Sequence, residues 1–175
     1  GGSGQNNLTN GGAGGSGIVI LKYTVPISSP LIFKGTQKWT CPTGVSSVDY
    51  LVVAGGGGGG AGHAGGGGAG GFRRGTGMSV TSGTEYTITV GAGGGAGDYR
   101  GSADPYPAAM RGDNGENSVF NGVTSTGGGG GAYSDGGGGS AGQPGGSAGG
   151  GANGGAGGSA TALPGGQQTP HETTT

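Results

Sequence analysis

Residues 127–166 read GGGGGAYSDGGGGSAGQPGGSAGGGANGGAGGSATALPGG. The reading of this stretch decides the fold. Shorter counterparts lie at 55–71 and 91–97, and glycine makes up 56 of the 175 residues. That share suits either a collagen-like or a low-complexity chain. Collagen is excluded because glycine comes in runs rather than every third residue, and only 8 prolines are present. A flexible linker is the plain alternative. The other solution is a packed array of polyglycine-II helices, extended and left-handed with three residues per turn and no internal hydrogen bonds. Without Cβ atoms such backbones can approach side by side and pair N–H with C=O between neighbours. Ordering costs roughly 1–2 kcal/mol per residue, most for glycine. An array must therefore satisfy nearly every buried backbone group, and one helix alone would not hold.

Outside the glycine, apolar side chains are scarce. Leu, Ile, Val and Phe together form about 13% of the chain, below the roughly 20% usual in folded proteins. Net charge is −1, so the high charge that accompanies disorder is missing too. With only 9% charged residues there is no electrostatic case for binding nucleic acid or an anionic membrane. No apolar run approaches the roughly 20 residues that span a bilayer. One cysteine, Cys41, excludes an internal disulfide. With no initiator Met and no signal-peptide pattern, the sequence reads as a processed product or a segment of something longer.

The apolar residues cluster. A Gly/Ser/Asn-rich arm over 1–25 carries one Asn-X-Thr triplet, Asn7-Leu8-Thr9, and ends in GIVILKYTV at 17–25, the most β-prone run in the chain. A β-module over 26–90 is interrupted by the glycine block 55–71. Within it LIFKGTQKWTC is expected to form a hairpin turning near Gly35-Thr36, and VSSVDYLVVA (45–54) a long strand running into six glycines. MSV and EYTITV, flanking Thr81-Ser82-Gly83-Thr84, are expected to form a second hairpin. Residues 91–126 combine a glycine segment with a loop at 98–113, and GENSVFNGV gives a short strand or turn. The glycine lattice proper follows at 127–166, then a polar tail at 167–175. No stretch has a helical period. The expected fold is all-β: a sheet from 17–54 and 76–90 anchoring polyglycine-II helices at 55–71, 91–97 and 127–166, with no substantial α-helix.

The phrases TCPTGVSSVDYLVVAGGGGGG, GTGMSVTSGTEYTITVGAGGGAG and GENSVFNG, followed by the long glycine tract, occur in that order. Together they resemble the glycine-rich modules of bacteriophage structural proteins and related bacterial surface proteins. More distantly the chain resembles phage tail-fibre tip adhesins, in which polyglycine-II segments carry aromatic-rich receptor loops. The resemblance implies an extracellular or virion fibre, structural or adhesive, without catalysis. In such modules GGSGIVILKY closes a unit, whereas here it precedes one, at 14–23. Either the chain is cut from a tandem array, or the strand at 17–25 completes a neighbouring subunit. Strand donation is preferred because an unpaired GIVIL edge invites aggregation. The donated strand would present Ile18, Val19, Ile20, Leu21 and Tyr23.

Motifs for chemistry are weak. GxGxxG at Gly55-Gly57-Gly60 follows a strand, but chance supplies such matches here and no helix follows to bind pyrophosphate. No Gly-Lys-Ser/Thr exists for a P-loop. GxSxG occurs around Ser140 and Ser147, yet both flanks are glycine rather than strand and helix. His63 and His171, the only possible bases, have no orienting carboxylate nearby in sequence. Two His and one Cys do not make a zinc site, and Asp98, Asp104, Asp113 and Glu116 match no calcium loop. No catalytic residue, metal or cofactor is expected. Arg111-Gly112-Asp113 spells an integrin-type tripeptide that is cheap to find in this composition. The loop around it matters more: Tyr99, Arg100, Tyr106, Met110 and Arg111 combine rings with guanidiniums, suited to stacking on sugars or side chains. Phe72, Arg73, Arg74 and Tyr133 are weaker candidates for that surface, and Trp39 is expected in the core. The expected function is a non-enzymatic structural subunit of an extracellular or virion fibre, assembling head-to-tail with identical copies by strand addition. The alternative is a receptor-binding module that takes a cell-surface glycan or protein through the 98–113 loop.

Overall fold

A computed structural model describes residues 10–24, 30–99, 107–134 and 139–160. Where Val, Ile and aromatic residues cluster, strands form: β1 (Ile18–Lys22), β2 (Leu31–Phe33), β3 (Gln37–Thr40), β4 (Ser47–Val53), β5 (Phe72–Ser79), β6 (Glu85–Thr89), β7 (Ser118–Phe120) and β8 (Val123–Ser125). The fold is all-β. Among the described residues the only helical element is one 3₁₀ turn, Pro107–Met110. The strands make two antiparallel sheets, β2-β1-β4-β5 and β3-β6-β7-β8. Between them lies the core, which includes Val19, Leu21, Phe33, Trp39, Cys41, Val48, Val52, Ile88 and Phe120. Trp39 ties the aromatic side chains together, 5.9 Å from Tyr23, 5.8 Å from Tyr86 and 6.2 Å from Phe120 between ring centroids.

Neither expected hairpin forms. β2 and β3 lie in different sheets, as do β5 and β6, so each connection is a corner between layers. The reason is burial. Phe33 and Trp39 both face inward, and the shared core takes them from opposite sides. Thr36 holds the first corner, its Oγ1 accepting the Val90 N–H at 3.1 Å. At the second, Thr84 N–H donates to the Thr81 carbonyl, while Cys41 N–H donates to that of Thr84 at 2.9 Å. A tight hairpin joins β7 to β8 through Asn121-Gly122, with φ of 42° and 81°. Those values suit a two-residue turn whose twist matches the strands.

Strand ends run directly into the glycine segments. The six glycines after β4 form the centre of the lattice. Along 54–61 the N–H groups donate in strict rotation. Residues 54, 57 and 60 donate to carbonyls 71, 68 and 65; residues 55, 58 and 61 to 116, 113 and 110; residues 56 and 59 to 15 and 12, all at 2.7–3.0 Å. A return to the same neighbour every third residue is the signature of a threefold extended helix. In the other direction, the carbonyls of Gly56 and Gly59 accept from Gly94 and Gly97, and those of Gly55 and Gly58 from Gly128 and Gly131. The segment is thus surrounded by 10–17, 64–71, 90–98, 110–117 and 126–132. Two of these, 10–17 and 110–117, read in sequence as arm and as the end of the 98–113 loop running into a short strand or turn, yet they join the lattice.

At Gly55, Gly57, Gly58 and Gly60 glycine is required for its missing side chain, not its backbone freedom. No residue of 55–60 has positive φ. A Cβ on Gly58 would coincide with the Gly95 carbonyl oxygen and lie 2.6 Å from its carbon. Residues 127–132 are likewise buried throughout. The two interior segments are therefore built on unbroken runs of glycine. Peripheral segments admit side chains on their open side, as at exposed Asn10, Ala13 and Ser16, spaced by one turn.

Candidate functional site

The lattice segments leave the sandwich and reach a common far end, with turns at 61–64 and 152–155 and with residues 98, 109–110, 132–134 and 139 beside them. Glycine offers a ligand only backbone, so recognition there depends on the other residues that collect at these turns. Asp98 N–H donates to the Ala109 carbonyl at 2.8 Å and closes the stem of the 98–110 loop. Tyr99 N–H donates to Asn10 Oδ1 at 2.7 Å and fastens that stem to the arm. Asn153-Gly154, with φ of 42° and 83°, makes a tight turn in which Gly155 N–H donates to the Ala152 carbonyl.

The five loop residues expected to form a contact surface have different fates. Met110 is buried, and its carbonyl accepts the Ala61 N–H at 2.7 Å. Its side chain packs beside Gly62 and does not face solvent. Arg111 is half-buried. Its guanidinium lies over the Tyr133 ring, 5.7 Å from the centroid, and Nη1 donates to the Ala141 carbonyl at 3.0 Å. Tyr99 is half-buried. Arg100 and Tyr106 lie outside the described residues, as do Asp104, His171 and the Asn7-Leu8-Thr9 triplet. Of the weaker candidates, Tyr133 does join Arg111, whereas Phe72, Arg73 and Arg74 belong to β5, the strand next to β4 at the end of the first sheet.

Tyr133 is itself braced. Ser140 Oγ accepts the Tyr133 N–H at 3.0 Å and donates to its carbonyl at 2.7 Å. The hydroxyl of the first GxSxG match is therefore engaged in holding a turn. At the second, exposed Ser147 contributes its backbone to the lattice. In the Arg111-Gly112-Asp113 tripeptide, Gly112 N–H donates to Gly131 and Asp113 N–H to Gly95, so its backbone is fixed inside the array. Glu116 Oε2 accepts the Ala92 N–H at 3.1 Å. Among the described residues no group of three or more His, Cys, Asp and Glu is placed to hold a metal ion, and no helix is long and apolar enough to cross a membrane. The arrangement offers a guanidinium stacked on a ring, a pair suited to contact with planar or anionic groups.

Sequence reading missed the asparagines. Asn114 and Asn117 accept the N–H groups of Gly130 and Gly127 through Oδ1, at 2.7 and 2.9 Å. Their spacing of three is one turn of the threefold helix, and that spacing was the available signal.

The residues expected as a donated strand occupy a central position. Ile18, Val19, Ile20 and Leu21 lie in β1, between β2 and β4, with Val19 opposite Phe33 and Val52, and Tyr23 packs at the core margin. Preceding them, the N–H groups of Gly11, Gly14 and Gly17 donate to the carbonyls of Gly97, Gly94 and Gly91. A family model described as a glycine-rich domain matches residues 32–174. Neither a curated protein nor a solved structure matches the chain.

Proposed function

We propose that this chain, which belongs to the glycine-rich domain family, is a non-enzymatic structural subunit of an extracellular or virion fibre that assembles head-to-tail by β-strand addition. One observation carries the reading. The family match begins at residue 32, while the strand that fills the sheet between β2 and β4 lies before it, at Ile18–Lys22. The matched domain alone would present two unpaired strand edges and a lattice groove lacking its 10–17 neighbour. An arm from a second copy makes the same contacts as the chain's own. Such a contact is heterologous and, if it does not close, extends into a filament. The resemblance to bacteriophage and bacterial surface modules supports the setting.

The test is electron microscopy with light-scattering mass on the intact chain and on a variant lacking residues 1–25. Filaments from the intact chain alone, and capping of growth by an added peptide spanning 10–24, are the expected results. Particles of the same small mass from both proteins would overturn strand donation. A second reading, a receptor-binding tip, rests on Arg111 and Tyr133 stacked at the far end of the lattice. Under it, the triple change Tyr99→Ala, Arg111→Ala, Tyr133→Ala abolishes cell-surface or glycan binding and leaves assembly intact. Unchanged binding would discard it.

A further inference from the structure

Strands of a two-layer sandwich normally alternate, apolar inward and polar outward. β1 and β4 do not. Val19, Leu21 and Val52 face the core and are fully buried, yet Ile18, Ile20, Leu51 and Val53 point the other way and are only half-buried. The two most exposed large apolar residues, Ile32 (53%) and Phe72 (62%), lie on the same outer face. The register sets this face in rows across the strands. Ile32, Ile20, Leu51 and Arg74 form one row; Ile18, Val53 and Phe72 the next; Lys22 and Asp49 a third. A contiguous apolar patch with a charged rim marks an interaction surface.

We propose that this face is a second interface between copies of the chain, closed by a two-fold axis parallel to the strands and midway between β1 and β4. The pattern of the face selects a second copy as occupant, because it is complementary to itself under that operation. The axis sets β1 of one copy over β4 of the other. Lys22 then meets Asp49 of the other copy, and Asp49 meets the other Lys22. Ile20 covers Leu51, Ile18 covers Val53, and Ile32 lies along the aliphatic stem of Arg74. Such an interface is isologous, with apolar centre and charged rim. Aligned sheet packing, with strands within about 30° of parallel, permits the overlay. The face exists whether β1 comes from the same chain or from another, so this interface stands apart from strand donation.

The sole native cysteine, Cys41, is buried, so an introduced thiol can be read cleanly. Lys22 and Asp49 are also neighbours within one sheet, so the cross-link is placed on β2 and β5, which are not adjacent in a sheet however β1 is supplied. A tagged Ile32→Cys chain mixed with an Arg74→Cys chain under mild oxidation should give a disulfide-linked heterodimer. It should form well above a control pair of Ile32→Cys with Glu85→Cys, Glu85 being on the other sheet. Phe72→Glu should weaken association in sedimentation by about tenfold or more at an unchanged thermal midpoint. Lys22→Asp alone should also weaken it, and Lys22→Asp with Asp49→Lys should restore it. Cross-linking no higher than the control, or association indifferent to Phe72→Glu, would overturn the proposal. So would a monomeric chain in which Lys22→Cys is shielded from thiol labelling, since another segment of the same chain would then cover the face.

Discussion

Alanine at Gly58 and alanine at Gly56 occupy the same glycine run, and the lattice should treat them oppositely. A Cβ on Gly58 lands on the Gly95 carbonyl oxygen, 2.6 Å from its carbon and 3.1 Å from the Gly94 oxygen. These are backbone atoms, so no side-chain rotation relieves the clash. Restoring ordinary contact, about 3.5 Å or more, means moving the 90–98 segment away. That segment is fixed by the bonds from Gly94 to Gly56 and from Gly97 to Gly59, each 2.8 Å. Overpacking costs roughly 1–3 kcal/mol, and two buried backbone bonds lost or stretched add about 1 kcal/mol each or more. Gly58→Ala should therefore cost about 3–5 kcal/mol. At about 2–4 °C per kcal/mol for a chain of this size, the midpoint falls by roughly 6–20 °C. A Cβ on Gly56 instead meets the Gly68 oxygen at 3.6 Å and Gly15 at 3.7 Å, ordinary van der Waals contact. Its φ is not positive, so Gly56→Ala should gain about 0.4–1 kcal/mol by restricting the unfolded chain. Thermal and urea unfolding of the two variants decides the matter. Equal midpoints would refute a packed threefold lattice.

Asn117→Ala removes the acceptor of the Gly127 N–H and should cost about 1–3 kcal/mol in urea unfolding, whereas Asn117→Asp, whose carboxylate oxygen still accepts that N–H, should keep most of the stability. Leu21→Ala empties a fully buried site at the centre of β1 and should cost about 2–5 kcal/mol, read by the same assay. Burial pushes the Cys41 thiol up. The folded chain then keeps a proton that the unfolded chain releases, so this contribution is whole below the ordinary thiol value. Stability should decline as pH rises above about 8.5, and Cys41→Ala should remove that part of the slope in thermal midpoints measured across alkaline pH.

Much of the fold was legible. Apolar clusters at 18–22, 47–53 and 85–89 became strands because β-branched residues have few other places to pack. Trp39 went to the core as its surroundings required. The paired corners were not legible, because LIFKGTQKWTC has the local pattern of a hairpin and nothing local says that Phe33 and Trp39 share a core from opposite sheets. At the candidate site, the ring and guanidinium types around Arg111 were evident in the chain. Their sorting was not, since Met110 turned inward and Tyr133, 22 positions along, supplied the stack.

By itself the sequence determined that glycine had to be ordered by backbone pairing, and that the longest unbroken runs, 55–60 and 127–131, could tolerate neighbours on every side. It also determined an all-β framework, through period and composition. Only the tertiary structure decided which segments are neighbours, because identical glycines carry no address. The strands at each run's ends and the asparagines at 114 and 117 set the register that the runs leave open. Tertiary packing likewise drew 10–17 and 110–117 into the array, since a central helix with three donating directions needs a carbonyl on each side.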